Sequence, residues 1–220
     1  MKKLGLFLKI LVKKLMNKIL FFISVFFILS YNSYSKDYKY QQFLNDNALI
    51  PVIKSNSDNA VDIIEFSSFS CSHCATFHNE TLAELKESEV FNHVNYYVVD
   101  FPLNQGAFYA SIVASCDLSV RPNYIDSVYE NYDVWTKAET GEDIINLLNS
   151  YGLQHGLDED QLDTCLKDEE LQNKLLSLQV DSQNIFGVES TPTFIVGGEK
   201  VQGNRPASEF IKIISKKLNQ

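Results

Sequence analysis

The order of apolar and polar positions divides the chain into a greasy basic start, a polar lead-in, and a body that is β at both ends and helical between. AVDIIEF, from Ala60 to Phe66, is nearly continuous in β-branched and apolar side chains, the pattern of a strand buried on both faces. It stops at SSFS. Beyond that, Cys74, Phe77, Leu82 and Leu85 recur at roughly helical spacing among good helix formers. HVNYYVVDFPL, from His93 to Leu103, predicts a second strand stopped by Pro102. Strand, helix, strand is a parallel crossover unit.

Helical patterns then follow over Gly106 to Ser119, Pro122 to Trp135, Glu142 to Tyr151, Glu159 to Leu166 and Glu169 to Phe186. Thr140 precedes Asp143 by three residues and Asp158 precedes Gln161 by three, so each can accept from an exposed helix N–H. The β pattern returns in TPTFIVGGEKVQG: a strand over Thr193 to Val196, a Gly197-Gly198 turn, and a return strand near Lys200 to Gln202. A last helix carries Phe210, Ile211, Ile214 and Leu218 on one face. The expected architecture is an α/β domain in two parts, residues 60–105 and 188–220, split by an all-helical insertion over residues 106–187. Residues 36–59 form the lead-in, with IPVIK, Ile50 to Lys54, as a candidate edge strand.

The first 35 residues change how the rest is read. They hold Lys2, Lys3, Lys9, Lys13, Lys14 and Lys18, no acid, and the apolar run ILFFISVFFILS. Small residues at Ser33 and Ser35 suit cleavage before Lys36, so residues 1–35 are expected to be a secretory signal. The run is short for a membrane span, which needs about 20 residues; an uncleaved anchor is the alternative, and Met16 offers a second start. Removing this segment leaves 13 basic against 28 acidic side chains. A net charge of about 15 negative argues against a nucleic-acid partner. The acids are spread through the second half, as on solvated helix faces. Outside the cytoplasm, thiols tend to end as disulfides, and the cysteines, Cys71, Cys74, Cys116 and Cys165, are even in number.

The candidate chemistry lies in EFSSFSCSHCATFH, from Glu65 to His78. A haem tether requires His directly after C-x-x-C, and Ala75 stands there. A structural zinc site needs four ligands, while Cys116 and Cys165 lie singly and far along the chain; a site from Cys71, Cys74, His73 and His78 would be cramped. No metal is therefore expected. A redox pair asks for less. Cys71 falls where a strand feeds a helix N-terminus, whose unpaired N–H groups favour thiolate. Cys74, one turn further in, is close enough to attack a mixed disulfide formed at Cys71. His73 can donate a hydrogen bond, or a charge when protonated, to the thiolate. Stabilising the reduced form in this way makes the disulfide more oxidising. No cofactor beyond the Cys71–Cys74 disulfide is required.

Glu65-Phe66 followed by CSHC, a helical insertion, and VESTPTF before a GG hairpin resemble the periplasmic thiol oxidases of the DsbA type, over nearly the whole chain from about Val61. The resemblance implies a thioredoxin-like fold, a central mixed sheet flanked by helices, carrying the insertion. It implies Cys71 as the exposed nucleophile, Cys74 as the resolving thiol and His73 as the residue that stabilises the thiolate. Pro192 corresponds to the cis-proline beside the active disulfide, and Thr191 to the residue whose backbone receives an extended substrate. Glu65 corresponds to a buried acid under the resolving cysteine, with a proton-relay role. Many members have Pro where Ser72 stands, which leaves the oxidising strength open. His78 reads as a surface residue of the active-site helix and is left outside the site. Cys116 and Cys165 lie on apolar helix faces, either as two buried thiols or as a structural disulfide across the insertion. The disulfide is expected, because an exported protein that handles disulfides would expose spare thiols to oxidation.

The resemblance implies a monomeric periplasmic oxidase that gives its disulfide to reduced or unfolded exported polypeptides and is reoxidised by a quinone-linked membrane partner of the DsbB type. A reductase or isomerase of the same fold is one alternative. A copper or zinc chaperone using Cys71 and Cys74 as ligands is another. Dimeric isomerases carry an N-terminal dimerisation domain, against about 25 residues expected here between the signal and the first strand.

Overall fold

Strand β1 (Val61–Ser67) is buried almost throughout, as a continuous apolar run requires when both faces are covered. The computed structural model describes residues 39–219 together with Met16, Lys18 and Phe21; the rest of the expected signal lies outside the described residues. By its contacts the chain divides into a unit ending at Leu44 and one beginning at Asn45. Residues 39–46 are helical, which the polar lead-in did not predict. All that follows concerns the second unit.

From β1 the chain enters α1, made of Ser72–Thr76, a π-helical turn over Phe77–Thr81, and Leu82–Lys86. A short 3-10 turn (Glu89–His93) leads into β2 (Val94–Asp100), which lies parallel to β1 with Glu65 beside Val98. Near the C-terminus, β3 (Thr193–Val196) pairs antiparallel with β1 and β4 (Glu199–Gln202) with β3, giving the order β2-β1-β3-β4. Gly197 and Gly198 both have positive φ, 49° and 81°, as the tight turn between β3 and β4 demands. The candidate edge strand is a single bridge, Ile53 with Tyr96.

Between β2 and β3 run α2 (Gln105–Ser115), α3 (Arg121–Glu130), α4 (Tyr132–Thr136), α5 (Gly141–Gln154), α6 (Glu159–Leu166) and α7 (Glu169–Phe186). Thr140 accepts from the Asp143 N–H, and Asp158 forms a full capping box with Gln161. The expected helix from Pro122 to Trp135 is broken at Asn131, whose φ of −99° and ψ of 22° turn the chain from α3 into α4. Gly187, at φ 62°, closes α7 in the left-handed conformation that glycine adopts without steric cost. Helix α8 (Ala207–Leu218) buries Phe210 and Ile214.

One face of β1 and β2 meets α1, α3 and α8. Phe77 of α1 packs on Phe194 of β3 and Phe210 of α8, with ring centroids 4.5 and 5.5 Å away. The other face meets α7, where Phe186 lies 5.3 Å from Phe66. One apolar cluster runs from Val61 and Ile63 through Ala107, Trp135 and Leu148 to Phe194 and Phe210, so the helices between β2 and β3 share the sheet's core. Arg121 fixes α3 to β2: its guanidinium donates to Asp100 Oδ2 at 2.8 Å and to the Val98 carbonyl at 3.0 Å, all three groups buried. Burial pushes the Asp100 carboxyl up, and Arg121 opposes that shift.

A smaller cluster of Ile112, Cys165 and Leu175 joins α2, α6 and α7, and there Cys116 is bonded to Cys165 across 49 residues of chain. A loop of that length restricts the unfolded chain, so replacing both cysteines by alanine is expected to cost about 4 kcal/mol. Chemical denaturation of both proteins, with Cys71 and Cys74 held in one redox state, measures it; a loss well under 1 kcal/mol would count against this loop-closure account.

Candidate active site

Cys71 is the N-cap of α1, with extended backbone at φ −90° and ψ 118°. Its carbonyl accepts from the N–H groups of Cys74 and Ala75, at 3.0 and 3.1 Å. The side chain is half-buried, and its thiol donates to the Thr191 carbonyl at 3.3 Å. Thr191 precedes Pro192 through a cis peptide bond. Cys74 is fully buried. Both are free thiols.

The environment splits the pair. Cys71 is lowered from 9.0 to about 5, first by the hydrogen bond from the Cys74 thiol, then by the Thr191 side chain and the backbone N–H groups of Cys74 and His73, against the effect of burial. The Thr191 hydroxyl is buried and otherwise without a partner, so donating to a thiolate satisfies it. Cys74 is pushed far up, first by burial, then by the Cys71 hydrogen bond and the Glu65 charge. The environment thus favours the thiolate at Cys71 and the thiol at Cys74.

Beneath Cys74 the Glu65 carboxylate is fully buried and satisfied from several elements. Ser67 Oγ donates to Oε1 at 2.7 Å and lies 2.7 Å from the Tyr129 hydroxyl. His78 Nε2 meets Oε2 at 2.8 Å, and the Tyr96 hydroxyl donates to the same oxygen. Register explains the convergence: Glu65 and Ser67 share a face of β1, and Tyr96 comes from the same face of the adjoining β2. The tyrosines stay protonated, since burial first and then the charges of Glu65 and Cys74 hold both phenols well above their ordinary range.

Cys71, Cys74, Glu65 and Thr191 are therefore brought together, with Pro192 next in the chain. The His73 ring is exposed, and what this residue gives Cys71 is its backbone N–H. Cys116 and Cys165 stand apart, in the α2–α6 cluster. His78 was misplaced by the sequence reading: it is buried and stacked on Tyr129, with ring centroids 4.2 Å apart. Its spacing of four from Cys74 is the signal that could have found it, because such residues share a helix face. Tyr96, Tyr129 and Ser67 were also missed. So was Tyr132, whose hydroxyl donates to the Ser70 carbonyl beside Cys71 at 3.1 Å. Among the described residues, no three His, Cys, Asp or Glu side chains gather as metal ligands would.

A mixed sheet in this order, a C-x-x-C pair opening the first helix and a cis-proline loop against the first cysteine define a protein of the thioredoxin fold class. A family model described as Thioredoxin matches residues 52–216, and the chain belongs to that family. It is 23% identical over 154 residues to a provisionally named protein-disulfide oxidoreductase of Rickettsia bellii, covering 69% of this chain and 58% of that one. A relative of the same provisional name from Rickettsia felis is 22% identical, over 77% of this chain and 60% of its own. The chain thus spans about three-fifths of the length of these curated relatives. Among solved structures, alpha-DsbA1 of Wolbachia pipientis matches with a TM-score of 0.66 at 20% identity, over 75% of this chain and 89% of that one. BdbD of Bacillus subtilis in its oxidised form matches at 0.64 and 16%, over 77% and 94%. These likenesses show the fold.

The Cys71 environment makes a pH-dependent claim. Its pKa is depressed on folding, so the unfolded reduced chain binds a proton that the folded one does not between about 5 and 9. In that window the reduced protein gains stability relative to the oxidised one as pH rises. The gain is complete above about 9 and lost as pH falls through about 5. Denaturation of both redox forms across this range, with thiolate absorbance of Cys71, measures it. A Cys71 titration near the ordinary thiol value with no such slope would contradict it.

Proposed function

We propose that this chain is an exported thiol-disulfide oxidoreductase that donates a Cys71–Cys74 disulfide to reduced or unfolded polypeptides. The observation that carries the reading is the opposed pair: a half-exposed cysteine lowered to about 5, bonded through its helix cap to a buried one pushed far up. The names of the Rickettsia relatives support the same activity.

The steps follow from that asymmetry. A substrate thiolate attacks Cys71, the more accessible sulfur of the disulfide. A bond forms between Cys71 and the substrate, the Cys71–Cys74 bond breaks, and its electron pair moves to Cys74, which takes up a proton. A second substrate thiolate then attacks the substrate sulfur and expels Cys71 as a thiolate. The substrate is oxidised by two electrons and the pair is reduced. Because expelled Cys71 is a stabilised thiolate, it is a good leaving group, which favours oxidising the substrate. Glu65 relays the proton of Cys74, Thr191 and Pro192 receive the extended substrate, and His73 contributes to the thiolate through its N–H. The pair needs no further cofactor. In this reading the chain works as a monomer in the periplasm, after export on residues 1–35, and a quinone-linked membrane partner restores the disulfide.

Two measurements test this. Equilibration with glutathione is expected to give a potential near the oxidising end of the thioredoxin range, about −120 mV; a value near −270 mV would make the chain a reductase. Oxidised protein mixed with a reduced unfolded polypeptide is expected to pass on one disulfide per pair, with Cys71→Ser inactive; reduced Cys74→Ser, offered a disulfide-bonded polypeptide instead, is expected to attack it with Cys71 and stay trapped as the mixed disulfide. Absence of exchange, with stoichiometric copper or zinc bound instead, would point to the metal-chaperone alternative.

A further inference from the structure

The partner of Glu65 that is hardest to explain as simple support is His78. Its Nε2 meets Glu65 Oε2, yet its other ring nitrogen, Nδ1, is buried with no hydrogen-bond partner among the described residues. His78 is also among the residues lining an open cavity of about 360 Å³ edged by Lys86, Asp126 and Glu130, room enough for water. It also lines a narrow pocket of about 30 Å³ with Tyr96 and Asp126. One imidazole therefore stands between solvent and the carboxylate beneath Cys74.

Cys74 needs such a connection. It is fully buried, and a substrate bonded to Cys71 closes the approach through that sulfur. Every turnover still delivers one proton to Cys74 and later removes it. We propose that His78 is the proton conduit of Cys74: protons cross its ring between the acid-edged cavity and Glu65, and pass between Glu65 and Cys74 by way of Ser67. The proposal rests on the thiol-disulfide reading above.

When a substrate breaks the Cys71–Cys74 bond, Cys74 leaves with the electron pair. Ser67, hydrogen-bonded to Cys74, passes it the proton that makes it a thiol. The Glu65 carboxylate takes a proton from Nε2 and hands it on to Ser67, ending as a carboxylate again, while Nδ1 takes a proton from cavity water. When the pair is reoxidised, Cys74 gives up its proton and the sequence runs outward, so the imidazole returns to its first tautomer. The charged and titratable groups around the ring are Glu65 of β1, Tyr96 of β2, Tyr129, Asp126 and Glu130 of α3, and Lys86 of its own helix. Both phenols are held protonated, which leaves the imidazole and the carboxylates to carry the traffic.

The test is resolution of a mixed disulfide preformed between Cys71 and glutathione, followed by stopped flow from about pH 5 to pH 9. His78→Gln keeps a hydrogen bond to Glu65 but holds no mobile proton. It is expected to slow resolution about a hundredfold near neutral pH and make the rate proportional to hydroxide. His78→Ala is expected to be slow and to recover with imidazole in the buffer, which the open cavity admits. An unchanged thiolate titration of Cys71 in both variants reports that fold and nucleophile are intact. In the wild type, rates in mixtures of light and heavy water should fall along a curve, because more than one proton moves. A straight or flat line, an unaltered rate and pH profile in His78→Gln, or no rescue of His78→Ala by imidazole would each overturn the proposal. If the wild-type mixed disulfide is not resolved at all, the thiol-disulfide reading itself fails, a result distinct from loss confined to the variants.

Discussion

A carboxylate in the middle of a buried strand must find its hydrogen-bond partners inside the protein, and the site is organised around that demand. Leaving Glu65 charged and unpaired would cost several kcal/mol, whereas each hydrogen bond to a charged group returns about 1.5–3 kcal/mol. The partners come from separate elements: Ser67 from β1 itself, Tyr96 from β2, His78 from α1, and Tyr129 of α3 behind Ser67. Satisfying one side chain therefore fixes how α1 and α3 sit on the sheet. The same placement puts a negative charge under Cys74, so the constraint that orders the fold also sets the chemistry of the buried sulfur.

The two cysteines differ because they meet opposite electrostatic environments three residues apart. Cys71 receives the Cys74 thiol's hydrogen bond first, then donors from Thr191 and the helix N–H groups, and these outweigh burial. At Cys74 burial outweighs everything else, and Glu65 adds to it. The contrast rests on unequal burial as much as on charge. Donors around a half-buried sulfur favour thiolate at Cys71, while burial first, then the Cys71 hydrogen bond and the Glu65 charge keep Cys74 a thiol.

The strands and most helices were legible because their signals are local: the β-branched run at Val61, the caps at Thr140 and Asp158, and the glycine pair at the β3–β4 turn. Cys71 and Cys74 were legible for the same reason, as a motif between two predictable elements. The surroundings of Cys74 were not. Tyr129 lies 62 residues beyond Ser67 and Tyr96 31 beyond Glu65, so no local pattern links them. His78 failed differently. It lies four residues after Cys74 and four before Leu82, on the buried face of α1, but a polar ring among apolar positions reads as surface unless its partner is known, and that partner, Glu65, lies on another element. The break at Asn131 was missed because the hydrophobic pattern runs on through it, while the turn there is needed to bring Trp135 inward.

That break changes what the helices between β2 and β3 are for. In the sequence they read as an insertion, a passenger on a smaller domain. In the fold, α3 brings Tyr129 to the Glu65 cluster and Arg121 to Asp100 at the end of β2, while α4 brings Tyr132 to the turn before Cys71. Two of these contacts touch the redox pair's immediate surroundings from opposite ends of one bend. Moving α4 relative to α3 would therefore disturb the exposed cysteine's entrance without moving the carboxylate under the buried one. The helical segment is thus part of the site's construction, and the bend at Asn131 is what lets one stretch of chain support both sulfurs.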